Sequence, residues 1–319
     1  MNLKEGVIYR STGSWYTVKL LDGEFVDSRI KGKFRTKGIR TTNPVAVGDK
    51  VMIDIEEEGK WVIHEIVPRK NYIIRKSVNL SKEAHVIAAN MDLCVLITTM
   101  VNPVTSTGFI DRFTVTAQAY DIPLLIVFNK IDLYNKADLQ KLDELMKAYE
   151  NAGCTCMQTS ALNNDGVEEL KEKIKGKISL FSGHSGSGKS SLINSIDSSL
   201  ELKVGEISES HLKGKHTTTF AEMYDLKDGS MIIDSPGIKG FGLIDLEKEE
   251  LANFFPEMFS LLKDCKFHNC KHINEPGCAV VKAVESGLIP EFRYLSYLAM
   301  YQEDGEESYR STNYWMLWE

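Results

Sequence analysis

The stretch FSGHSGSGKSSLINSI, Phe181–Ile196, decides how the rest of this chain is read. Within it, Gly183-His184-Ser185-Gly186-Ser187-Gly188-Lys189-Ser190 satisfies G-x-x-x-x-G-K-[ST]. The motif stands in the context it requires, after the apolar run Ile178–Phe181 and ahead of a helix-like segment. Phosphates carry dense negative charge, so such a loop must offer many backbone N–H groups at close range, and glycine permits the approach because it has no Cβ. The N-terminus of the following helix adds partial positive charge. Lys189 is expected to reach the β- and γ-phosphates of a nucleotide and the Ser190 hydroxyl to bind Mg²⁺, with Gly183 through Ser191 forming the cradle.

At 319 residues the chain is long for one core, so two or three domains are expected. Charged residues at 26% and hydrophobic residues at 43% are an ordinary globular balance, and a net charge of −7 excludes a surface coated uniformly in positive charge for nucleic acid. No apolar run approaches the roughly 18 residues of a membrane span, and the opening MNLKEGVIYR lacks a signal-peptide core, so the expected compartment is the cytoplasm, with no membrane partner. Six cysteines in so long a chain do not suggest a disulfide scaffold; three of them cluster with histidine, which points to metal.

Residues 1–70 show short β-like runs, Gly6–Arg10, Ser14–Leu20, Glu24–Ile30, Asp49–Glu56 and Lys60–Val67, separated by turn signals such as Asp22-Gly23 and Glu58-Gly59. These predict a small all-β barrel, an OB-fold by first choice and an SH3-like barrel by second. The segment RIKGKFRTKGIR, Arg29–Arg40, is strongly basic with no acidic residue inside it. In an acidic chain that suits a loop contacting nucleic-acid phosphates, with Phe34 available to stack. Trp15 and Tyr16 are expected in the barrel core.

From residue 71 the pattern changes to strand, helix, strand. Met91–Thr98 is a continuous apolar run of the buried parallel kind, Phe109–Tyr120 reads as helix, and Pro123–Phe128 as the next strand. That strand runs into Asn129-Lys130-Ile131-Asp132, at the end where open α/β sheets bind ligands. N-K-x-D there resembles the guanine-reading motif of GTPases, in which the Asp carboxylate accepts from two N–H groups on one edge of guanine while Asn and Lys brace the loop and ring. Asp132 would then bear base choice. A helix over Asp138–Glu150 and a strand over Thr155–Gln158 lead to Ser160-Ala161-Leu162, which resembles the GTPase element whose backbone N–H groups meet the guanine O6. Cys94, Cys154 and Cys156 are expected as buried core thiols.

Beyond the phosphate loop, Leu202–His216 has no clean period and ends at Thr217-Thr218-Thr219, of which Thr218 is the preferred γ-phosphate sensor and Mg²⁺ ligand. Strands over Phe220–Leu226 and Met231–Ile233 precede Asp234-Ser235-Pro236-Gly237, a D-x-x-G. There Asp234 would hold the Mg²⁺ shell and the Gly237 N–H would touch the γ-phosphate. Further on, after a helix over Glu249–Lys263, come Cys265-x4-Cys270-x-His272-x5-Cys278. Three thiolates and an imidazole suit a closed structural zinc site, with His268 as the competing ligand and a Pro276-Gly277 turn returning Cys278 to the others. Ala279–Tyr301 reads as helix.

All the GTPase elements are present in permuted order: Ras-like proteins run phosphate loop, threonine, D-x-x-G, N-K-x-D, S-A, whereas this chain begins at N-K-x-D and ends at D-x-x-G. With the barrel before and the cysteine cluster after, the chain resembles the RsgA family, the bacterial ribosome small subunit-dependent GTPases, over essentially its whole length. The resemblance implies a circularly permuted P-loop GTPase domain over 71–244, flanked by an OB-like RNA-binding barrel over 1–70 and a helical zinc-binding domain over 245–319. It implies hydrolysis of GTP to GDP late in maturation of the small ribosomal subunit, stimulated by that subunit. Its 16S rRNA would be contacted by the barrel and the zinc module. The cofactors would be GTP/GDP, Mg²⁺ and one zinc ion, and a monomer is expected. Ile238 departs from the Ras-like pattern, in which glutamine at that place orients the attacking water, so slow intrinsic turnover is expected, with His216 as the in-chain candidate for that role. The rival readings are a nucleotide-dependent switch acting on a non-ribosomal RNA or protein, and an RNA-binding module that holds GTP without meaningful turnover.

Overall fold

The computed structural model describes residues 3–30, 44–56, 60–76, 84–203, 221–235 and 247–303. Strands β1 (Lys4–Ser11), β2 (Tyr16–Leu20), β3 (Phe25–Ile30), β4 (Lys50–Ile55) and β5 (Trp61–Ile66) make the barrel. Their order is β1-β2-β3-β5-β4, closed by β1–β4 pairing and with β3 parallel to β5, which is OB-type rather than SH3-like connectivity. Alternation fills its core with Ile8, Tyr16, Val18, Leu20, Val51, Ile53 and Ile63.

The chain then forms a hairpin, β6 (Tyr72–Lys76) and β7 (Ala84–Ala89), that the sequence pattern did not announce. There follow β8 (Leu93–Thr98), α1 (Thr107–Ala119), β9 (Leu124–Phe128), α2 (Lys136–Asn151), β10 (Thr155–Gln158), α3 (Val167–Ile174), β11 (Ile178–Gly183), α4 (Lys189–Ile196), β12 (Glu222–Asp225) and β13 (Met231–Asp234). Strands β10-β9-β8-β11-β13 run parallel in that spatial order, and β12 closes the series antiparallel. Every residue of β8 is buried, as a strand covered on both faces requires. Helix α2 is fixed at its start by a capping box between Asn135 and Asp138. Cys94 is buried outright, while Cys154 and Cys156 are half-buried against the same core; burial raises these thiols to about 12, 11 and 12 respectively, which leaves them protonated.

The barrel is not a separate bead. Strand β1 pairs with β12, so one sheet of 11 strands runs through both parts. Alternation lets β1 serve two cores: Ile8 faces the barrel interior, while Tyr9 and Val7 pack into the nucleotide-domain core beside Met223 and Ile233, with a register shift against β2 between Ile8 and Arg10. Gly48 adopts φ +88° and lies so close to β7 that a Cβ would fall 2.1 Å from the Ala89 carbonyl oxygen, hence glycine at this crossing.

The expected single helices of the last region are each broken. Pro256 has no N–H to donate, and the segment becomes a 3₁₀ turn over Lys248–Phe254, then α5 (Pro256–Phe259), then a second 3₁₀ turn over Leu262–Asp264. Gly287 at φ +75° and Pro290 divide the next into α6 (Ala279–Glu285) and α7 (Glu291–Gln302). Helix α7 docks on α1 through a buried ionic cluster. Arg293 donates to Asp111 Oδ1 and to Glu257 Oε1, both at 2.7 Å, and Tyr149 Oη donates to Asp111 Oδ1 at 2.8 Å. Val115 of α1 completes the apolar core of the C-terminal region. Among the described residues no helix is long and apolar enough to cross a membrane.

Candidate functional site

The loop from Gly183 to Gly188 joins the central strand β11 to α4, and its glycines are dictated by close neighbours. A Cβ on Gly183 would lie 2.4 Å from the Ile97 carbonyl oxygen, and one on Gly188, at φ +87°, would lie 2.5 Å from Asn129 Nδ2. Ser185 and Gly186 are exposed, His184 is half-buried with its ring 3.9 Å from that of Phe109, and Ser190 and Ser191 are half-buried at the first turn of α4. The Ser187 N–H donates to the His184 carbonyl at 3.2 Å, closing a turn inside the loop, while Ser187 Oγ is buried without a hydrogen-bond partner.

Asn129 ties three segments together. Its Nδ2 donates to the Ser187 carbonyl at 3.0 Å, while its Oδ1 accepts from Thr159 Oγ1 at 3.0 Å and from the Ala161 N–H at 3.3 Å. The phosphate loop, the N-K-x-D loop and the Ser160-Ala161 loop are therefore one structure, although 58 residues separate Asn129 from Ser187. Lys130, in a left-handed conformation, donates to the Asn102 carbonyl at 2.7 Å, and Ser160 Oγ donates to Asp132 Oδ1 at 2.5 Å. Tyr134, which sequence reasoning did not single out, donates to the Asn129 carbonyl at 2.9 Å and accepts from the Met100 N–H at 2.8 Å, fixing this loop from beneath. Phe109 is likewise without a sequence signal, because an aromatic on a helix carries none of its own, whereas Thr159 directly precedes the Ser160-Ala161 element.

Lys189 Nζ contacts the Asp234 carboxylate, both side chains being nearly buried. Burial pushes the Lys189 ammonium down to about 8, while the carboxylate against it favours the charged form. Asp234 ends β13, and Ser235 Oγ fastens that end to β11 through the Phe181 carbonyl at 2.9 Å. The donor set fits a nucleotide with a divalent cation: Lys189 for phosphate, Ser190 and Asp234 as oxygen ligands. His216, Thr217–Thr219, Gly237 and Ile238 lie outside the described residues.

In the C-terminal region one atom each from Cys265, Cys270, His272 and Cys278 lies within 4.8 Å of all the others. His272 Nδ1 is 3.4 Å from Cys278 Sγ and 3.7 Å from Cys265 Sγ, so Nδ1 is the nitrogen turned to the sulfurs. The Ala279 and Val281 N–H groups point at Cys265 Sγ and Cys278 Sγ, at 3.3 and 3.4 Å, as suits thiolates. His268 is exposed and outside the cluster. Three soft sulfurs and an imidazole in a compact group fit a four-coordinate metal with no open position.

On the barrel, Lys31–Arg40 lie outside the described residues, leaving Arg29 and Ile30 of the basic segment. Tyr16 is in the core, but Trp15 is 44% exposed and not a core residue. Alternation along β2 turns it outward, where the Arg29 guanidinium lies 3.9 Å over its ring.

A family model described as the RsgA GTPase matches residues 66–244, and one described as the RsgA N-terminal domain matches residues 5–63. The small ribosomal subunit biogenesis GTPase RsgA 2 of Bacteroides thetaiotaomicron is 53% identical over 307 residues, covering 96% of this chain and 99% of its own. The RsgA of Christiangramia forsetii is 53% identical over 313 residues, covering 97% and 99%. Among solved structures, YjeQ from Thermotoga maritima superposes with a TM-score of 0.73 at 35% identity, covering 94% of this chain and 97% of its own. YloQ, a circularly permuted GTPase, gives 0.69 at 28%, covering 94% of each. Permuted motif order, a five-stranded barrel joined to the nucleotide sheet, a Cys₃His cluster and full-length similarity converge on one conclusion, that this chain belongs to the RsgA family of circularly permuted GTPases.

Proposed function

We propose that this GTPase binds the small ribosomal subunit and hydrolyses GTP to GDP and phosphate in a late step of that subunit's maturation. The observation that carries the nucleotide part is the Asn129 hub, which makes base-reading and phosphate-binding loops a single rigid surface. On it Asp132 takes the guanine edge, with Ser160 holding the carboxylate in place. Lys130 braces the ring, backbone N–H groups of the Ser160-Ala161 element meet the guanine O6, and the Gly183–Ser191 segment wraps the phosphates, with Lys189 supplying positive charge where negative charge builds up during hydrolysis. Ser190, Asp234 and, by its place in the chain, Thr218 would hold Mg²⁺, which would supply positive charge against the negative charge that develops on the phosphates. Gly237 follows the γ-phosphate. With isoleucine at position 238, His216 or a group on the subunit orients water, and turnover without the subunit is slow. Cys265, Cys270, His272 and Cys278 hold one structural zinc.

The ribosomal part is supported by the names of relatives about half identical over their full length and by the basic Arg29–Arg40 segment as a contact for 16S rRNA. The protein works as a cytoplasmic monomer between such encounters. Single-turnover GTP hydrolysis with and without small subunits, with ATP and large subunits as controls, tests this. Acceleration of about tenfold or more, specific to GTP and small subunits, is expected. A slow, unchanged rate would remove the ribosomal assignment.

A further inference from the structure

Arg10, Glu222 and Asp234 occupy one row across three adjacent strands: Arg10 is opposite Glu222 in the β1–β12 pair, and Glu222 is opposite Asp234 in β12–β13. The barrel therefore touches the nucleotide domain one strand away from the carboxylate that meets Lys189. At the far end of β12, Asp225 is gripped from the barrel. Tyr9 Oη donates to its Oδ1 at 2.6 Å and Lys19 Nζ to its Oδ2 at 2.5 Å. Tyr9 cannot slip, because its ring is buried in the nucleotide-domain core, with Phe25 edge-on at 5.2 Å and the Lys19 ammonium 5.3 Å from its centroid. Arg10 has a second neighbourhood. Besides its 4.0 Å approach to Glu222, it lines an open cleft with Thr12, Trp15, Thr17 and Asp27, at the edge where Arg29 stacks on Trp15.

Hairpin β12–β13 joins two parts of the hydrolytic site in sequence: the Thr217–Thr219 segment leads into β12, and β13 ends at Asp234. A small rotation of β1 would thus move Asp234 through β12, and a change at Asp234 that repositions the hairpin would move β1.

We propose that the Tyr9–Lys19–Asp225 clamp makes the barrel a positioning element for GTP hydrolysis, passing a load on the Arg10–Trp15–Arg29 face through β12 to Asp234. That the load is small-subunit RNA rests on the function proposed above; the coupling itself does not. Asp225 is a positioning residue, since its carboxylate is held by Tyr9 and Lys19 of the barrel and it stands at the opposite end of β12 from the residue paired with Asp234.

Two measurements on the full chain separate these claims. Exchanging GDP for a non-hydrolysable GTP analogue should change amide hydrogen exchange in residues 4–20 at least about fivefold in the wild type and not in Asp225→Ala. In single-turnover assays, Asp225→Ala should lose about tenfold of the small-subunit stimulation, with its unstimulated rate and subunit affinity within about twofold of wild type. The charge exchange Lys19→Asp with Asp225→Lys should recover most of the stimulation, while the unchanged unstimulated rate and subunit affinity of Asp225→Ala separate coupling from a role in folding alone. Unchanged exchange in the wild type, full stimulation of Asp225→Ala, or weakened subunit binding by it would each overturn the proposal. A wild type that small subunits fail to stimulate would sink the ribosomal assignment, and the exchange experiment would then decide the coupling alone.

Discussion

The nucleotide site and the Cys₃His cluster are built in opposite ways. The first gathers residues from positions 129 to 234 onto the ends of a parallel sheet whose core is already packed, so its loops are held by Asn129, Tyr134 and the strands beneath them. The second collects four donors within 14 residues of irregular backbone and has a modest apolar core shared with α1. The nucleotide should therefore be removable from a folded site, whereas the metal should be part of the fold around it.

The largest test of that contrast is metal removal. Structural zinc in small modules contributes about 10–16 kcal/mol near neutral pH, so chelation or Cys278→Ser should unfold the loop around Cys265–Cys278. Hydrogen exchange there should rise to that of an open chain while residues 84–203 stay protected; retained protection at the cluster would erase the distinction. Arg293→Ala comes next. It leaves Asp111 and Glu257 without their cation and should cost about 3–5 kcal/mol in urea unfolding, chiefly by freeing α7 from α1. A change under about 1 kcal/mol would mean that this cluster adds little to the docking of α7 on α1, leaving it to apolar contact and the Arg112–Glu303 pair. Lys189→Ala should weaken GTP about 100-fold, or about 2.7 kcal/mol, by fluorescence titration, with the sheet still folded. Unchanged affinity would count against the whole site. Smallest of all, Trp15→Ala should alter stability by no more than about 0.5 kcal/mol, since the ring is outside every core.

How much of this was legible varies with the physics of each segment. The five barrel strands, the parallel strands and the cysteine spacing could be read because turn residues and apolar runs bound them sharply. Trp15 lies outside the core for a reason the sequence carries: Tyr16, Val18 and Leu20 of β2 point inward, and the same period of two carried back one residue turns Trp15 out. Helix α3 was passed over despite Val167, Leu170 and Ile174 falling on one face. The breaks at Pro256 and at Gly287 with Pro290 are visible as residues, since proline lacks the N–H that a continuous helix needs and glycine readily takes the left-handed conformation that ends one. The double role of β1 was not legible, because Val7-Ile8-Tyr9 is an unbroken apolar run: alternation sends Ile8 to one face and Val7 and Tyr9 to the other, but nothing in the run says that each face meets a different core. The Asn129 hub could be expected from its motif, but not Tyr134 beneath it, whose hydroxyl matters through contacts 34 residues away.

That shared strand bears on how the protein can be taken apart. A chain trimmed to begin after the barrel would lose Tyr9 and Val7 from the nucleotide-domain core and leave β12 as a bare sheet edge with Met223 uncovered. Such an edge invites pairing with another copy, so the shortened protein should aggregate rather than behave as a clean catalytic fragment. For the same reason, grafting this barrel onto another nucleotide-binding fold would transplant only half of a joint.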